Sequence, residues 1–171
     1  IQQDASTYYP ALMKDIEKAR HSIHLQTFIW RVDAFTDRLK DLLEAKVREG
    51  VTVRLLYDPV GSFLAVTPGY LRRMRAAGIQ MVATSPLWHL HTISYRNHRK
   101  ISVIDGKIGY LGGMNLGQEH LDGGAYGAWR DTQLRLQGEA AALLQAIFLV
   151  DWYNATGEDL FNKVPFVLEP P

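Results

Sequence analysis

The sequence contains no cysteine. That excludes disulfides, a thiol nucleophile and thiolate-held zinc or iron–sulfur centres. It leaves the compartment open, because a chain without disulfides suits the cytosol and is equally compatible with export. Long apolar runs are lacking too. The most apolar stretch, residues 140–150, is interrupted by Gln145 and falls well short of the roughly 20 residues that span a bilayer. Residues 1–9 are polar and hold no basic-then-apolar leader. No initiating Met is present, as expected of a processed product or an excised fragment. Nor is there an excess of either charge: 19 Lys and Arg face 18 Asp and Glu, for a net +1. This balance argues against a strongly basic nucleic-acid wrapper but permits a local basic patch. What remains is ordinary globular material. With 171 residues, 47% hydrophobic and 22% charged, the chain is not a disordered tail, and it is long enough for one domain with a real core.

Helix and strand patterns alternate. Residues 8–20 place Tyr9, Leu12, Met13, Ile16 and Ala19 at helical spacing. Residues 22–30 read as a strand with Ile23, Leu25, Thr27 and Ile29 on one face. A helix is expected over 36–49, closed by Gly50, then a β-branched strand over 51–57 ended by Asp58-Pro59. A third helix over 68–77 stops at Gly78, before a strand over 79–83. This rhythm predicts an α/β fold with a mixed, mostly parallel sheet flanked by helices on both faces.

From residue 85 to 96 the periodicity fails, and Trp88, His89, His91 and Tyr95 make an aromatic, histidine-rich loop. A hairpin follows, with strands over 100–104 and 107–111 around Asp105-Gly106, the strongest short hairpin signal there is. A glycine-rich loop covers 112–128, a strand 129–137, and a last helix runs from about 138 to 153. The chain ends in Pro170-Pro171, which reads as a linker or terminus.

Chemistry concentrates between Asn97 and Asn115. His98 and Lys100, two apart in an extended segment, project to one face. The glycine loop then delivers Asn115 near them. An ammonium and an amide can neutralise and orient a phosphate, and an imidazole near neutral pH can attack phosphorus or shuttle a proton. No metal is demanded by this set. Residue types alone describe a surface hairpin with incidental charge equally well.

The full spacing is more specific. His98-x-Lys100, four residues, Asp105, and then Gly112-Gly113-x-Asn115 resembles the HxKxxxxD signature of the phospholipase D superfamily with its trailing Gly-Gly-x-Asn. Trp129-Arg130-Asp131-Thr132 looks like the block that follows it. Ser22-Ile23-His24-Leu25, and Gly50 through Asp58 with Gly61-Ser62, look like the bacterial cardiolipin synthase branch. The resemblance covers about residues 8–152. It implies a metal-independent, cofactor-free phosphodiester transfer through a phosphohistidine on His98. Lys100 and Asn115 would hold the phosphate oxygens, and Asp131, with Glu119 as rival, would orient the imidazole. Asp105 matches the signature, yet at a hairpin turn it is expected to cap its own backbone rather than touch substrate.

One part is missing. The family mechanism uses two such motifs, the second histidine protonating the leaving alcohol, and no other histidine here has a lysine two residues on. Residues 1–171 are therefore expected to be a single catalytic lobe. They would form either the first half of a two-lobed enzyme or one copy of a homodimer. The implied reaction is transphosphatidylation of phosphatidylglycerol at the bacterial cytoplasmic membrane, with peripheral membrane contact. A homodimeric phosphodiesterase or nuclease, and a catalytically silent pairing lobe, are the rival readings. The net +1 makes a nucleic-acid partner the weaker one. His89-x-His91 offers a metal pair with His98 but more simply lines the substrate mouth or lies exposed. Trp88 and Trp129 suit lipid contact or plain packing. Arg72, Arg73 and Arg75 suit an anionic patch, or more simply a solvated helix face.

Overall fold

A computed structural model describes residues 1–85, 96–123 and 130–164. The first helix, α1 (Ala5–Glu17), begins where Asp4 accepts the Thr7 amide at 2.9 Å, an N-cap that satisfies one of the orphan donors of a helix start. Strand β1 (Ser22–Thr27) leads to α2 (Ala34–Arg48), opened by a capping box between Asp33 and Thr36. Then come β2 (Thr52–Tyr57), α3 (Pro68–Ala76) and β3 (Gln80–Ala83). The second half holds β4 (Ile101–Ile104), β5 (Ile108–Gly112), the short α4 (Glu119–Asp122), β6 (Gln133–Gln137) and α5 (Glu139–Thr156).

The six strands form one mixed sheet in the order β3-β2-β1-β4-β5-β6. β1 pairs in parallel with β2, and β2 with β3, while β1–β4, β4–β5 and β5–β6 are antiparallel. Four of the six described strands point one way, yet three of the five pairings are antiparallel, because the hairpin inserts β4 beside β1 with reversed direction. At the hairpin turn both Asp105 (φ 53°) and Gly106 (φ 67°) occupy the left-handed region, as the primed turns that match strand twist require.

Helices cover both faces. Ile23, Leu25, Val53 and Leu55 pack with Leu12, Ile16, Leu39 and Leu43 in one core. On the other face α5 brings Phe148, Leu149 and Trp152 against Leu56, and Leu144 against Ile101 and Val103. Each such fully buried side chain contributes about 2 kcal/mol. All six β1 residues are buried, so the polar His24 and Gln26 need partners under α5. Arg54 Nη1 donates to His24 Nε2 at 3.3 Å, and Nδ1 then donates to Gln145 Oε1 at 3.1 Å. Burial pushes His24 down to about 4, so the neutral ring stacks on Phe148 at 4.6 Å.

Sequence and structure differ at element ends. β1 stops at Thr27 rather than at residue 30, and residues 98–100 lie ahead of β4 rather than on it. The glycine loop carries α4, and β6 starts at Gln133.

Candidate active site

The site assembles where the chain leaves β1. The ring of Phe28 is its floor. The His98 imidazole meets it edge-on at 4.5 Å between centroids, and Lys100 Nζ lies 5.5 Å from the ring centre. Gly61 presses on Phe28 from the neighbouring turn. A Cβ there would fall within contact distance of the Phe28 carbonyl oxygen and 2.9 Å from a ring carbon, so only glycine lets the floor lie flat.

His98 is exposed, and Lys100 is only 4% exposed. Lys100 Nζ donates to the His98 carbonyl at 2.7 Å, which ties the two residues together without their standing side by side on a strand. Burial pushes the Lys100 ammonium down to about 8, against the pull of Asp131. Burial, and then the charge of Lys100, lower His98 below its ordinary value, against Asp58. The consequence is a neutral imidazole beside a cation at neutral pH. That pairing suits attack on a phosphodiester, since the lone pair is free and the anionic phosphate meets a positive charge.

Asn115 reaches the same place through its own anchoring. Its Oδ1 accepts the Ile29 amide at 3.0 Å and the Thr27 hydroxyl at 3.3 Å, while its carbonyl accepts the Tyr9 hydroxyl at 2.8 Å. Oδ1 is thus occupied, and among the described residues Nδ2 meets no acceptor. Asn115 therefore offers a fixed donor beside the backbone of Ile29, the residue that follows Phe28.

The three carboxylates singled out by sequence separate. Asp105 lies at the far end of the sheet. Its oxygens accept the amides of Arg20, His21 and Ser22 at 2.7–2.8 Å. The expectation that it caps its own backbone is corrected: it caps the turn between α1 and β1, and among the described residues it hydrogen-bonds to none of the other site residues. Asp131 sits against Gly113, whose missing Cβ would overlap the carboxylate, and Asp131 accepts the Thr132 amide at 2.7 Å. Its charge acts on Lys100, and among the described residues no hydrogen bond joins it to His98. Glu119 pairs with Arg31 at 3.3 Å.

Sequence reading missed three contributors. Asp58, fully buried, accepts the Val60 and Gly61 amides and pairs with Arg96 at 3.0 Å. It is the carboxylate whose charge reaches His98. Asp151 of α5 accepts from Gln26, Asn97 and Arg99. Phe28 carries no local signal at all. Asp58 was visible as the end of a strand and in the resemblance, but nothing in the spacing tied it to His98. A pocket of about 530 Å³ opens between His98, Arg96, Arg99, Asp151 and Asn154. His89, His91, Trp88, Tyr95 and Trp129 lie outside the described residues.

The family model for the cardiolipin synthase, PLD-like domain matches residues 12–152. The chain belongs to this family. It is 46% identical over 164 residues to cardiolipin synthase from Alkalihalophilus pseudofirmus, covering 94% of this chain and 32% of that protein. It is 46% identical over 167 residues to cardiolipin synthase from Geobacillus kaustophilus, covering 95% and 33%. The chain thus spans about a third of the length of the curated relatives it matches. Among solved structures, the phospholipase D family member Nuc from Salmonella typhimurium superposes with a TM-score of 0.65 at 14% identity, over 87% of this chain and 89% of that one. Phosphatidylserine synthase from Haemophilus influenzae gives 0.67 at 15%, over 90% and 35%. These two share the mixed-sheet fold of the cardiolipin synthase PLD-like domain.

Proposed function

We propose that this PLD-like domain is the first lobe of a two-lobed phosphatidyltransferase of the cardiolipin synthase type. The observation that carries the reading is the exposed imidazole of His98 set edge-on to Phe28 beside the buried Lys100, in a chain 46% identical to cardiolipin synthases. A ring nitrogen of His98 attacks the phosphorus of phosphatidylglycerol. The bond to the glycerol headgroup breaks, and the departing alkoxide takes a proton from an acid of the second lobe. The hydroxyl of a second phosphatidylglycerol then attacks phosphorus, returning a proton to that group of the second lobe, the phosphorus–nitrogen bond breaks, and His98 is released. Lys100 Nζ and Asn115 Nδ2 hold the phosphate oxygens as negative charge builds in the transition state. Asp131 supports the charge of Lys100, and Asp105 holds the fold.

The outer face of α5 supports a second lobe. Leu143, Ile147 and Val150 are exposed at helical spacing, and the stripe continues to Asn154 at the pocket beside His98. A body seated there would reach the nucleophile. A homodimer is the second reading, favoured by the match to Nuc over nearly its whole length. Association with the bacterial cytoplasmic membrane follows from the substrate. No described helix is long and apolar enough to cross one.

The test is to trap the phosphoenzyme by a denaturing quench at alkaline pH after mixing with phosphatidylglycerol labelled at phosphorus. Label that is acid-labile, stable to base and absent in His98→Ala is expected, with turnover appearing on addition of a second lobe. Label persisting in His98→Ala refutes the nucleophile, and full turnover by a proven monomer refutes the half-site. Turnover by self-associated copies alone selects the homodimer.

A further inference from the structure

We infer that the turn between β2 and α3 is a membrane-contact element, placing Phe63 and Leu64 in an anionic bilayer surface beside the nucleophile. This rests on the phospholipid reading only for why a bilayer should be present. The surface itself is argued from geometry and charge.

Leu64 is 88% exposed and Phe63 65%, neighbours at the tip of one turn, with Val60 partly exposed beside them. The tip is built rather than loose. Asp58 Oδ1 accepts the Val60 and Gly61 amides at 2.8 and 3.0 Å. The Ser62 hydroxyl accepts the Trp30 amide at 2.9 Å and donates to the Phe28 carbonyl at 3.3 Å. The Ala65 and Val66 amides close back on the Ser62 carbonyl at 3.0 and 2.9 Å, and Val66 packs on the core. A turn held this firmly could have directed its large apolar side chains inward. Instead it presents two of them to water, next to Gly61, which bears on the Phe28 floor under His98 and Lys100.

Charge selects the partner. Between Asp58 and Asp105 the sequence has no acidic residue and six basic ones, in a chain of net charge only +1. Arg96 is taken by Asp58 and Arg99 by Asp151, Arg75 reaches the Met81 carbonyl, and Lys100 belongs to the site. Arg72 and Arg73 remain exposed, with no carboxylate partner among the described residues. Their guanidinium nitrogens turn back to about 4 Å from where a Cβ of Gly69 would be, in the first turn of α3, and so toward the tip. An exposed apolar point backed by two cations without carboxylate partners, Arg73 lying over the Tyr70 ring, matches a bilayer interface carrying anionic headgroups. A nucleic-acid groove would have no use for exposed Leu64 and Phe63.

The absence of cysteine makes the test clean. A polarity-sensitive fluorophore is attached to Leu64→Cys and, as control, to Lys107→Cys at the exposed hairpin turn at the opposite end of the sheet. Vesicles of equal phosphatidylglycerol and phosphatidylcholine should blue-shift the Leu64 label and expose it to quenching by spin-labelled lipid, leaving the Lys107 label unchanged. Phe63→Ser with Leu64→Ser should weaken partitioning at least tenfold. Arg72→Gln and Arg73→Gln should weaken it about fivefold each, with no such effect on pure phosphatidylcholine. A Leu64 label that stays in water on vesicle-bound protein overturns the inference. So does a shift that grows with protein concentration without lipid, which would mean a protein seated on the tip. So does a shift produced by duplex DNA in place of vesicles. Phosphohistidine formation from soluble short-chain phosphatidylglycerol is measured in parallel. Its loss with tip insertion intact fails the catalytic reading alone, and its presence with a dry tip absent fails this inference alone.

Discussion

Lys46 and Lys100 are both buried ammonium groups, and the molecule holds them in opposite ways. Lys46 Nζ donates to the Glu17 carbonyl at 3.0 Å and to Glu49 at 2.5 Å, so it ties the end of α2 to the end of α1. Lys100 Nζ has one carbonyl at 2.7 Å and the face of Phe28. An ammonium has three donors. Where the protein gives two of them oxygen partners, one a carboxylate, the cation is a structural fastener. Where it meets a single carbonyl beside the imidazole, the cation is poised for an outside anion.

The largest expected effect breaks this pair apart. Lys100→Met should lower phosphatidyl transfer at least a hundredfold while leaving the melting temperature unchanged or raised, because it removes a poorly paired buried charge. Lys46→Met should leave transfer intact and cost about 1 kcal/mol, read by denaturant titration. If both variants lose the same property, the comparison fails.

The contrast extends to the two ends of the sheet. Asp105 satisfies three backbone amides at one end and stands in the left-handed region. Asp105→Ala should therefore cost about 3 kcal/mol by losing three charge-assisted bonds. Asp105→Asn, which tolerates that backbone region and keeps one acceptor, should cost less than half of that. Equal losses would mean the carboxylate charge alone matters. Transfer per folded molecule should be unchanged in both.

The pH dependence sharpens the same point. The Lys100 ammonium lies near 8 in the folded chain against 10.5 ordinarily, so between these values the unfolded chain binds more protons. The Lys100 contribution to stability therefore rises with pH across that window. Transfer needs the charged form and should fall as pH climbs through about 8. Stability and rate thus move in opposite directions over one window, and Lys100→Met should abolish the stability slope.

The sequence made much of this legible, for physical reasons. Local periodicity placed the helix cores of α1, α2 and α3, because burial of one face leaves a spacing that can be read. Asp105-Gly106 placed the hairpin because few residues accept positive φ. The H-x-K spacing pointed to His98 and Lys100. What it missed depends on contacts far apart in the chain. That Phe28 is the floor, that the charge of Asp58 reaches His98, and that Asp105 caps residues 20–22 are set by β1 lying between β2 and β4. Likewise the alternation of β1 leaves His24 opposite Ile23 and Leu25, and only the fold shows that Gln145 and Phe148 of α5 meet it there.

The smallest effect decides between the two acids that compete for a role beside His98. Asp131 raises Lys100 and is absent from the charges acting on His98. Glu119 is engaged with Arg31 in a half-buried pair, worth about 1 kcal/mol. Asp131→Asn should therefore move the alkaline limb of the rate profile to lower pH, since Lys100 loses the charge that supports it, and should leave the acidic limb set by His98 in place. The fall in rate at neutral pH should be severalfold, far below that of Lys100→Met. Glu119→Gln should move neither limb. An acidic limb that shifts in Asp131→Asn would mean that this carboxylate seats the imidazole after all, through a closer approach than the isolated lobe displays. The two buried lysines would still differ, but the open one would then share its acid with the nucleophile.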